Sequence, residues 1–316
     1  MNRFEYVSPK TAAEAVGLLG GGAMAKAGGT DLIARMKDRL IEPGKLVNLL
    51  NVAELKKLSA DDGGFKSGAL VTLSEVAAHP SVRKLYAALA MAAGEAATPQ
   101  VRNVATVGGN LCQRPRCWYY RSAEHDCLKK GGKGCPALEG ENQYHAIFDN
   151  GKCAAVEPSN LAPALIALEG KVTIRGKGGE KTVGAEEFYV VNDVTKETIL
   201  GENEIVTAVE AAAGWKSAYL EVRERQSFDW PLVAVAVAVK GSAKVEAARI
   251  VLGAVSPAPM RAEKAEKALV GVALKDEAAI AKVAAAAVEG AKPLGRNGYK
   301  VTMLKAMVAR AIAAVV

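Results

Sequence analysis

AMAKAGGTDLIARMKDRL, at residues 23–40, is the stretch from which the fold and the first candidate site can be worked out. Residues 23–27 predict a short buried strand, the two glycines that follow predict a turn, and residues 31–40 have the apolar spacing of a helix. Thr30 is the predicted N-cap of that helix. A strand, a glycine turn and a helix N-terminus together present unpaired backbone amides, so the stretch predicts a phosphate site, although a plain connecting turn has the same sequence.

A second glycine turn lies further along the chain, in NVATVGGNLC at residues 103–112. Thr106 and Asn110 flank its two glycines, and two such turns can hold a pyrophosphate from both sides. A nicotinamide dinucleotide site is not predicted. The motif GxGxxG is absent, and its nearest variant, at residues 20–25, precedes the strand instead of following it.

All five cysteines of the chain lie between Cys112 and Cys153. Ligands of one metal centre gather in this way, whereas core cysteines would be scattered. The spacing lacks the C-x2-C pair typical of structural zinc, and the glycines and basic residues between the thiols suit an iron–sulfur cluster better. Zinc, with His125 or His145 as a ligand, is an alternative, and disulfides are a weaker one because the cysteine count is odd.

The composition is that of an ordinary globular protein, with 50% hydrophobic and 24% charged residues, and 316 residues predict two or three domains. The net charge of +7 would permit nucleic-acid binding. The basic residues alternate with acidic ones, however, and no aromatic stacking platform accompanies them, so no nucleic-acid partner is predicted. No apolar run reaches the length of about 18 residues that predicts a membrane span.

Four segments resemble one known family, and the likeness covers essentially the whole chain. They are similar to the FAD-binding medium subunit of the molybdenum hydroxylases, the family of xanthine dehydrogenase and carbon monoxide dehydrogenase. These segments are AGGTDLI (27–33), TPQVRNVATVGGNLC (98–112), PSNLAPALIAL (158–168) and GAVSPAPMRAEKAEKAL (253–269).

The cysteine-containing stretch has a more specific resemblance. Its segments CQRPRCWYYR, CLKKGGKGC and GENQYHAIF are similar to an insertion in the FAD subunits of periplasmic aldehyde oxidoreductases and of 4-hydroxybenzoyl-CoA reductase. In those subunits the insertion holds one [4Fe–4S] cluster. The ligands that this resemblance implies are Cys117, Cys127, Cys135 and Cys153, which leaves Cys112 spare.

The resemblance implies an α+β fold. Two N-terminal α/β subdomains would form a vanillyl-alcohol-oxidase-type (PCMH-type) FAD-binding fold, followed by a C-terminal domain with a small antiparallel sheet and helices. We expect FAD-binding subdomain 1 at residues 1–57 and FAD-binding subdomain 2 at 58–212, with the cluster loop at 112–153. The C-terminal flavoprotein domain is expected at 213–316.

The resemblance also implies where FAD binds, and it implies no catalytic residue in this chain. Both glycine turns are expected to hold the diphosphate. Asn160 stands where the family usually has Asp, and it either contacts the flavin or caps the helix that follows it. The residues expected to bind FAD are Lys26, Ala27, Gly28, Gly29, Thr30, Asp31, Leu32, Thr106, Gly108, Gly109, Asn110 and Asn160.

The function that the resemblance implies is electron transfer within a multi-subunit oxidoreductase, with aldehyde oxidoreductase as the nearer likeness. A large subunit with the molybdenum cofactor and a small subunit with two [2Fe–2S] clusters would deliver electrons to this subunit, which passes them to an external acceptor such as ferredoxin or a quinone. The alternatives are the FAD subunit of an enzyme like 4-hydroxybenzoyl-CoA reductase or xanthine dehydrogenase, and a zinc-stabilised binding module without flavin. The N-terminal residues lack the apolar core of a signal peptide, so we expect a cytoplasmic protein, or a periplasmic one exported with a signal-bearing partner.

Overall fold

The computed structural model describes residues 1–190, 193–225 and 228–315. The first sheet is parallel and three-stranded, and its last strand in the chain lies between the other two. Its short strands alternate with two helices, as expected for parallel strands, which need crossover connections. The elements are β1 (Glu5–Val7), α1 (Ala12–Leu18), β2 (Met24–Lys26), α2 (Leu32–Lys37) and β3 (Lys45–Asn48).

Helix α2 is shorter than the predicted helix at residues 31–40, and its N-cap position is occupied by Asp31, so the prediction of Thr30 as the N-cap is wrong. The early end has a backbone cause. Arg39 adopts a left-handed conformation with φ of 54°. The amide of Leu40 then donates to the carbonyl of Arg35, which is the hydrogen bond that closes a Schellman C-terminus.

The second unit contains a five-stranded antiparallel sheet, preceded and interrupted by short helices. The sheet order is β4-β5-β8-β6-β7, with β4 (Leu58–Asp61), β5 (Gly64–Gly68), β6 (Lys171–Gly176), β7 (Gly179–Gly184) and β8 (Ile205–Ala211). The helices between β5 and β6 are α3 (Leu73–Ala78), α4 (Pro80–Leu85), α5 (Ala87–Glu95), α6 (Pro99–Arg102), α7 (Val107–Leu111), α8 (Trp118–Arg121) and α9 (Leu161–Ala167).

The third unit is a four-stranded antiparallel sheet covered by helices, in the order β12-β11-β10-β9. The final residue of the range predicted for this domain, Val316, lies outside the described residues. The elements are β9 (Lys216–Val222), β10 (Val233–Lys240), β11 (Ala247–Gly253), β12 (Met260–Arg261), α10 (Glu263–Leu269), α11 (Glu277–Ala286) and α12 (Tyr299–Ala313).

Strand β10 joins the second and third units because both of its faces are buried. Its valines, such as Val235 and Val237, belong to the core formed with α10, α11 and α12. Its alanines, such as Ala236, belong to the core of the second unit, and α9 packs on this strand. Small side chains on that face let the helix approach closely. The apolar run at 232–239 is therefore a buried strand, as predicted.

The predicted α+β fold, with a C-terminal antiparallel sheet, is confirmed. Within the described residues, no helix has both the length and the apolar character needed to span a bilayer.

Candidate functional site

A cavity of about 710 Å³, here called the main cavity, is lined by the first unit and by several segments of the second. The structure brings every residue predicted to bind FAD into its lining. The two glycine turns face it, although they are about 80 residues apart in sequence. The second wall comes from residues 196–206, and part of the rim comes from Trp230.

The first glycine turn offers backbone donors to the main cavity. Within the residues that the structure describes, no protein group accepts a hydrogen bond from the amides of Gly29, Thr30 or Asp31. Gly29 has φ of 80°, which favours glycine, and the turn leads into the N-terminus of α2. Unpaired amides at such a turn are suited to a phosphate, and they are an observation that a flavin dinucleotide fits.

The two turns are packed against each other by backbone. A β-carbon at Gly28 would lie 1.9 Å from the carbonyl oxygen of Val104, just before the second turn. A β-carbon at Gly108 would lie 2.9 Å from that of Ala69. These two glycines therefore hold the cavity wall together. Gly109 is different, because a β-carbon there would meet only the hydroxyl of Thr106, at 3.0 Å.

The second turn uses its own amides, in contrast to the first. Thr106 caps α7, and its hydroxyl accepts a hydrogen bond from the Gly109 amide at 3.1 Å. The Gly108 amide donates to Ala69 and the Asn110 amide to the carbonyl of Thr106. The amides of Gly108, Gly109 and Asn110 are therefore not free to bind a ligand. A ligand at this turn would instead lie close against the glycine backbone, which has no side chain to exclude it.

Asn160 lines the main cavity and occupies the N-cap position of α9, which was one of its two predicted roles, but its side chain makes no capping hydrogen bond. The hydroxyl of Ser159 accepts from the Ala162 amide at 3.0 Å and so caps the helix. The Asn160 amide group instead donates to the carboxylate of Glu221 at 2.6 Å. Burial raises the pKa of Glu221, against the lowering effect of its hydrogen bonds. An aspartate at position 160 would therefore place its carboxylate beside that of Glu221.

Asp31 connects the first glycine turn to the cysteine-containing segment. Its carboxylate lies 2.5 Å from a guanidinium nitrogen of Arg121 and 2.9 Å from one of Arg116, and it accepts from the backbone amide of Arg114 at 3.2 Å. Burial opposes ionisation of Asp31, but together Arg116 and Arg121 outweigh it and lower the pKa of the carboxyl. The sequence showed the basic residues, but it did not indicate that they meet this acid.

The segment that follows the second turn forms part of the main cavity and continues into the cysteine loop, residues 112–153. Arg114 and Arg116 line the cavity, and Arg116 lies over the ring of Trp230 at 4.3 Å from its centroid. Cys117 is the next residue in the chain. The main cavity and the cysteine loop are therefore adjacent in space as well as in sequence.

Four of the five cysteines gather, and they are the four predicted as ligands. The thiol of Cys117 interacts electrostatically with those of Cys127 and Cys135, and Cys135 is hydrogen bonded to Cys153. The hydrogen bond from Cys153, opposed by burial and aided by the amides of Ala154, Ala137 and Leu138, lowers the pKa of Cys135 to about 6. Backbone amides directed at sulfur stabilise thiolates, the form that binds metal.

Cys112 lies apart from these four, in the lining of the main cavity and against the core of the second unit. Burial raises the pKa of its thiol to about 12, so this thiol stays protonated.

His145 is a functional candidate that the sequence analysis considered only as a zinc ligand. Its Nε2 lies 3.2 Å from the sulfur of Cys117.

A single metal ion is poorly matched to this loop. Among residues 1–190, 193–225 and 228–315, no group of three or more His, Cys, Asp or Glu side chains is arranged to hold one ion. Zinc requires about 2.3 Å to each thiolate, so its ligands converge on one point. An iron–sulfur cluster is bonded through separate iron atoms, and its thiolates stand further apart. Four cysteines, of which Cys135 and Cys153 are hydrogen bonded to each other, are a ligand set of the right number and chemistry for such a cluster.

A second cavity, of about 490 Å³, lies between α2 and the cysteine loop, and several basic side chains contribute to its lining. Lys129 and Arg114 both contact the buried carboxylate of Glu197, each at 2.5 Å. The basic lining residues are Arg35, Arg39, Arg114, Lys129 and Lys130. They place positive charge beside the loop, as the sequence predicted for an anionic thiolate cluster.

Two family profiles match almost the whole chain. The profile described as the FAD binding domain in molybdopterin dehydrogenase matches residues 2–211. The profile described as the CO dehydrogenase flavoprotein C-terminal domain matches residues 217–315.

Individual relatives agree with these profiles. The chain is 36% identical to the aldehyde oxidoreductase FAD-binding subunit PaoB of Escherichia coli strain K12, over 85% of this chain and 86% of that relative. It is 32% identical to the carbon monoxide dehydrogenase medium chain of Hydrogenophaga pseudoflava, over 98% and 96% of the two chains. A solved structure of carbon monoxide dehydrogenase from H. pseudoflava, lacking the Mo-pyranopterin moiety, superimposes with a TM-score of 0.78 at 29% identity, over 99% of this chain and 97% of that one.

Proposed function

This chain belongs to the FAD-binding medium subunits of the molybdenum hydroxylase family, and on that premise we propose that it transfers electrons between FAD in the main cavity and a [4Fe–4S] cluster in the cysteine loop. One observation carries the proposal. The segment that lines the main cavity, up to Arg116, leads directly into Cys117. Two cofactors held there would be neighbours. When bound, the flavin supplies two-electron storage and the cluster supplies one-electron transfer.

The FAD part of the proposal is supported by the first glycine turn. Its free amides and the α2 N-terminus would bind the diphosphate, and Gly109 would allow close approach from the other side. The residues that would hold FAD are those predicted from the sequence, from Lys26 to Leu32 and from Thr106 to Asn110, together with Asn160.

The cluster part of the proposal rests on this chain's own loop, because the names of these two relatives mention no cluster. Cys117, Cys127, Cys135 and Cys153 would be the four ligands. Amides directed at Cys117 and Cys135, and basic residues around the loop, would stabilise the anionic cluster.

We further propose the partners. A large subunit with the molybdenum cofactor would oxidise the substrate, and the similarity to PaoB makes aldehydes the first substrates to test. A small subunit with two [2Fe–2S] clusters would relay the electrons. Ferredoxin or a quinone would accept them, in the cytoplasm or, after export with a partner, in the periplasm. FAD would bind between residues 1–57 and residues 58–212, and residues 213–316 would form the C-terminal flavoprotein domain.

Single replacement of each cysteine by serine tests the proposal. In the purified complex, Cys117→Ser, Cys127→Ser, Cys135→Ser and Cys153→Ser should each lower the iron bound to this subunit, because a missing ligand leaves an iron atom incompletely coordinated. Cys112→Ser is the matched control and should keep all of that iron. Iron analysis and low-temperature EPR of the dithionite-reduced protein measure both outcomes. A wild-type subunit that contained zinc and no flavin would instead favour the binding-module alternative.

A further inference from the structure

Lys300, in the C-terminal helix α12, is fully buried. Its ammonium group donates to three backbone carbonyls, those of Ala254 at 2.7 Å, His145 at 3.1 Å and Tyr144 at 3.3 Å. In the described part of the chain, no carboxylate forms a salt bridge with it. A buried ammonium compensated only by carbonyl dipoles is costly, and burial accordingly lowers the pKa of Lys300 to about 7. Such a cation is stabilised by an anionic group nearby.

Two of the three carbonyls, those of Tyr144 and His145, belong to the cysteine loop. His145 is one of these residues, and its ring nitrogen Nε2 lies 3.2 Å from the sulfur of Cys117. The C-terminal domain holds this segment at a second point as well. The side-chain amide of Asn297 donates to the carbonyls of His145 and Ala146, at 3.1 Å each.

The His145 ring lies within hydrogen-bond distance of a predicted cluster ligand, and the rings of Trp118 and Tyr119 pack against it. Nε2 is the ring nitrogen placed to donate a hydrogen bond to the Cys117 sulfur.

We infer that Lys300 and His145 are positioning residues that raise the reduction potential of the cluster bound by Cys117. This inference rests on the proposed function. Reduction adds one negative charge to the cluster, so a nearby buried cation and a hydrogen bond to a ligand sulfur both favour the reduced state. The helix of the C-terminal domain would thus tune a cofactor held by a loop of the second unit.

The test is a redox titration of the whole complex, followed by EPR of the cluster. Lys300→Met should shift the equilibrium toward the oxidised cluster by about tenfold, which is about 59 mV for one electron. Lys300→Gln retains a donor for the carbonyls but no charge, and it should shift the potential in the same direction. His145→Phe keeps an aromatic ring beside Trp118 and Tyr119 and removes the hydrogen bond, so it should also lower the potential.

The matched control is Lys305→Met, because Lys305 lies on the same helix but is exposed. It removes a positive charge from the same helix and should leave the potential unchanged. Iron content is measured first. If both Lys300 variants lost the cluster, Lys300 would be needed for cluster assembly and the inference would be overturned. Potentials of the Lys300 variants equal to that of Lys305→Met would also overturn it. If this subunit of the wild-type complex contained no iron, the proposed cluster would be absent, and both the proposed function and this inference would fail.

Discussion

The wall of the main cavity and the cysteine loop are continuous in the chain, yet different interactions stabilise them. The wall depends on backbone in close contact, and at Gly28 it has no space for even a β-carbon. The loop depends on side chains from elsewhere in the protein, including Asp31 on one side and Lys300 on the other. Added atoms should therefore damage the wall, whereas lost charges should damage the loop. This difference decides which substitutions are informative in each region.

The largest effect on stability is expected at Asp31, which the two regions share. Asp31→Asn would leave the half-buried guanidinium groups of Arg116 and Arg121 without their carboxylate, and the loss should approach the ~3–5 kcal/mol that breaking a fully buried ion pair from one side costs. Urea unfolding of the wild type and the variant measures this loss. The matched control is Glu5→Gln, which breaks the exposed pair with Lys45 and should cost under about 1 kcal/mol. Equal losses in the two variants would contradict the central role of Asp31.

Asp31 also predicts a dependence on pH. Its pKa is lower in the folded protein than in the unfolded chain, so its contribution to stability is present above the unfolded value, about 3.9, and is lost as the pH falls toward the folded value. Acid unfolding of Asp31→Asn should therefore show a smaller loss of stability below about pH 4 than the wild type does. Parallel curves for both proteins would show that this carboxylate is not the group responsible.

The next largest effect is expected at Gly28. Gly28→Ala would force the first glycine turn away from Val104, and overpacking of this kind costs about 1–3 kcal/mol. Thermal unfolding of the variant measures this cost, and FAD content should fall with it because both turns shift. A variant as stable as the wild type would mean that the two turns do not touch in solution.

A smaller effect, on binding and not on folding, is expected at Gly109. Gly109→Val places its added methyl groups toward the main cavity, where only the Thr106 hydroxyl is close. The protein should fold normally and bind FAD at least about tenfold more weakly, a loss of about 1.4 kcal/mol. The flavin absorbance of the purified variant reports occupancy, with Gly109→Ala as the milder comparison. Full FAD occupancy in Gly109→Val would remove the second turn from the binding site.

The smallest effect is expected for an added methyl group in the cysteine loop. Gly134 is exposed, its φ is not positive, and no described atom lies within 4 Å of a β-carbon built there. Gly134→Ala should change the free energy of unfolding by no more than about 0.5 kcal/mol and leave bound iron unchanged. Thermal unfolding and iron analysis check both expectations. A large loss would show that the loop, like the wall, tolerates no added atoms.

The sequence by itself determined the local elements of the two sites. The glycine turns, the gathering of cysteines and the buried strand β10 all follow from spacing over a few tens of residues at most, since backbone freedom at glycine and side-chain periodicity are local properties. The twelve residues predicted to bind FAD do line one cavity. Their role in binding stays a prediction.

Only the tertiary structure decided which distant groups meet. Asp31 contacts arginines about 90 residues away, Lys300 contacts the backbone of His145, and Asn160 turns toward Glu221. The prediction of Thr30 as a cap is wrong, since the N-cap position of α2 is Asp31, whose carboxylate pairs with Arg116 and Arg121. Asn160 does occupy the N-cap position of α9, but its side chain donates to Glu221 and makes no capping hydrogen bond. Spacing along the chain does not encode such partners, because the free energy of a buried charge depends on its surroundings in the folded protein.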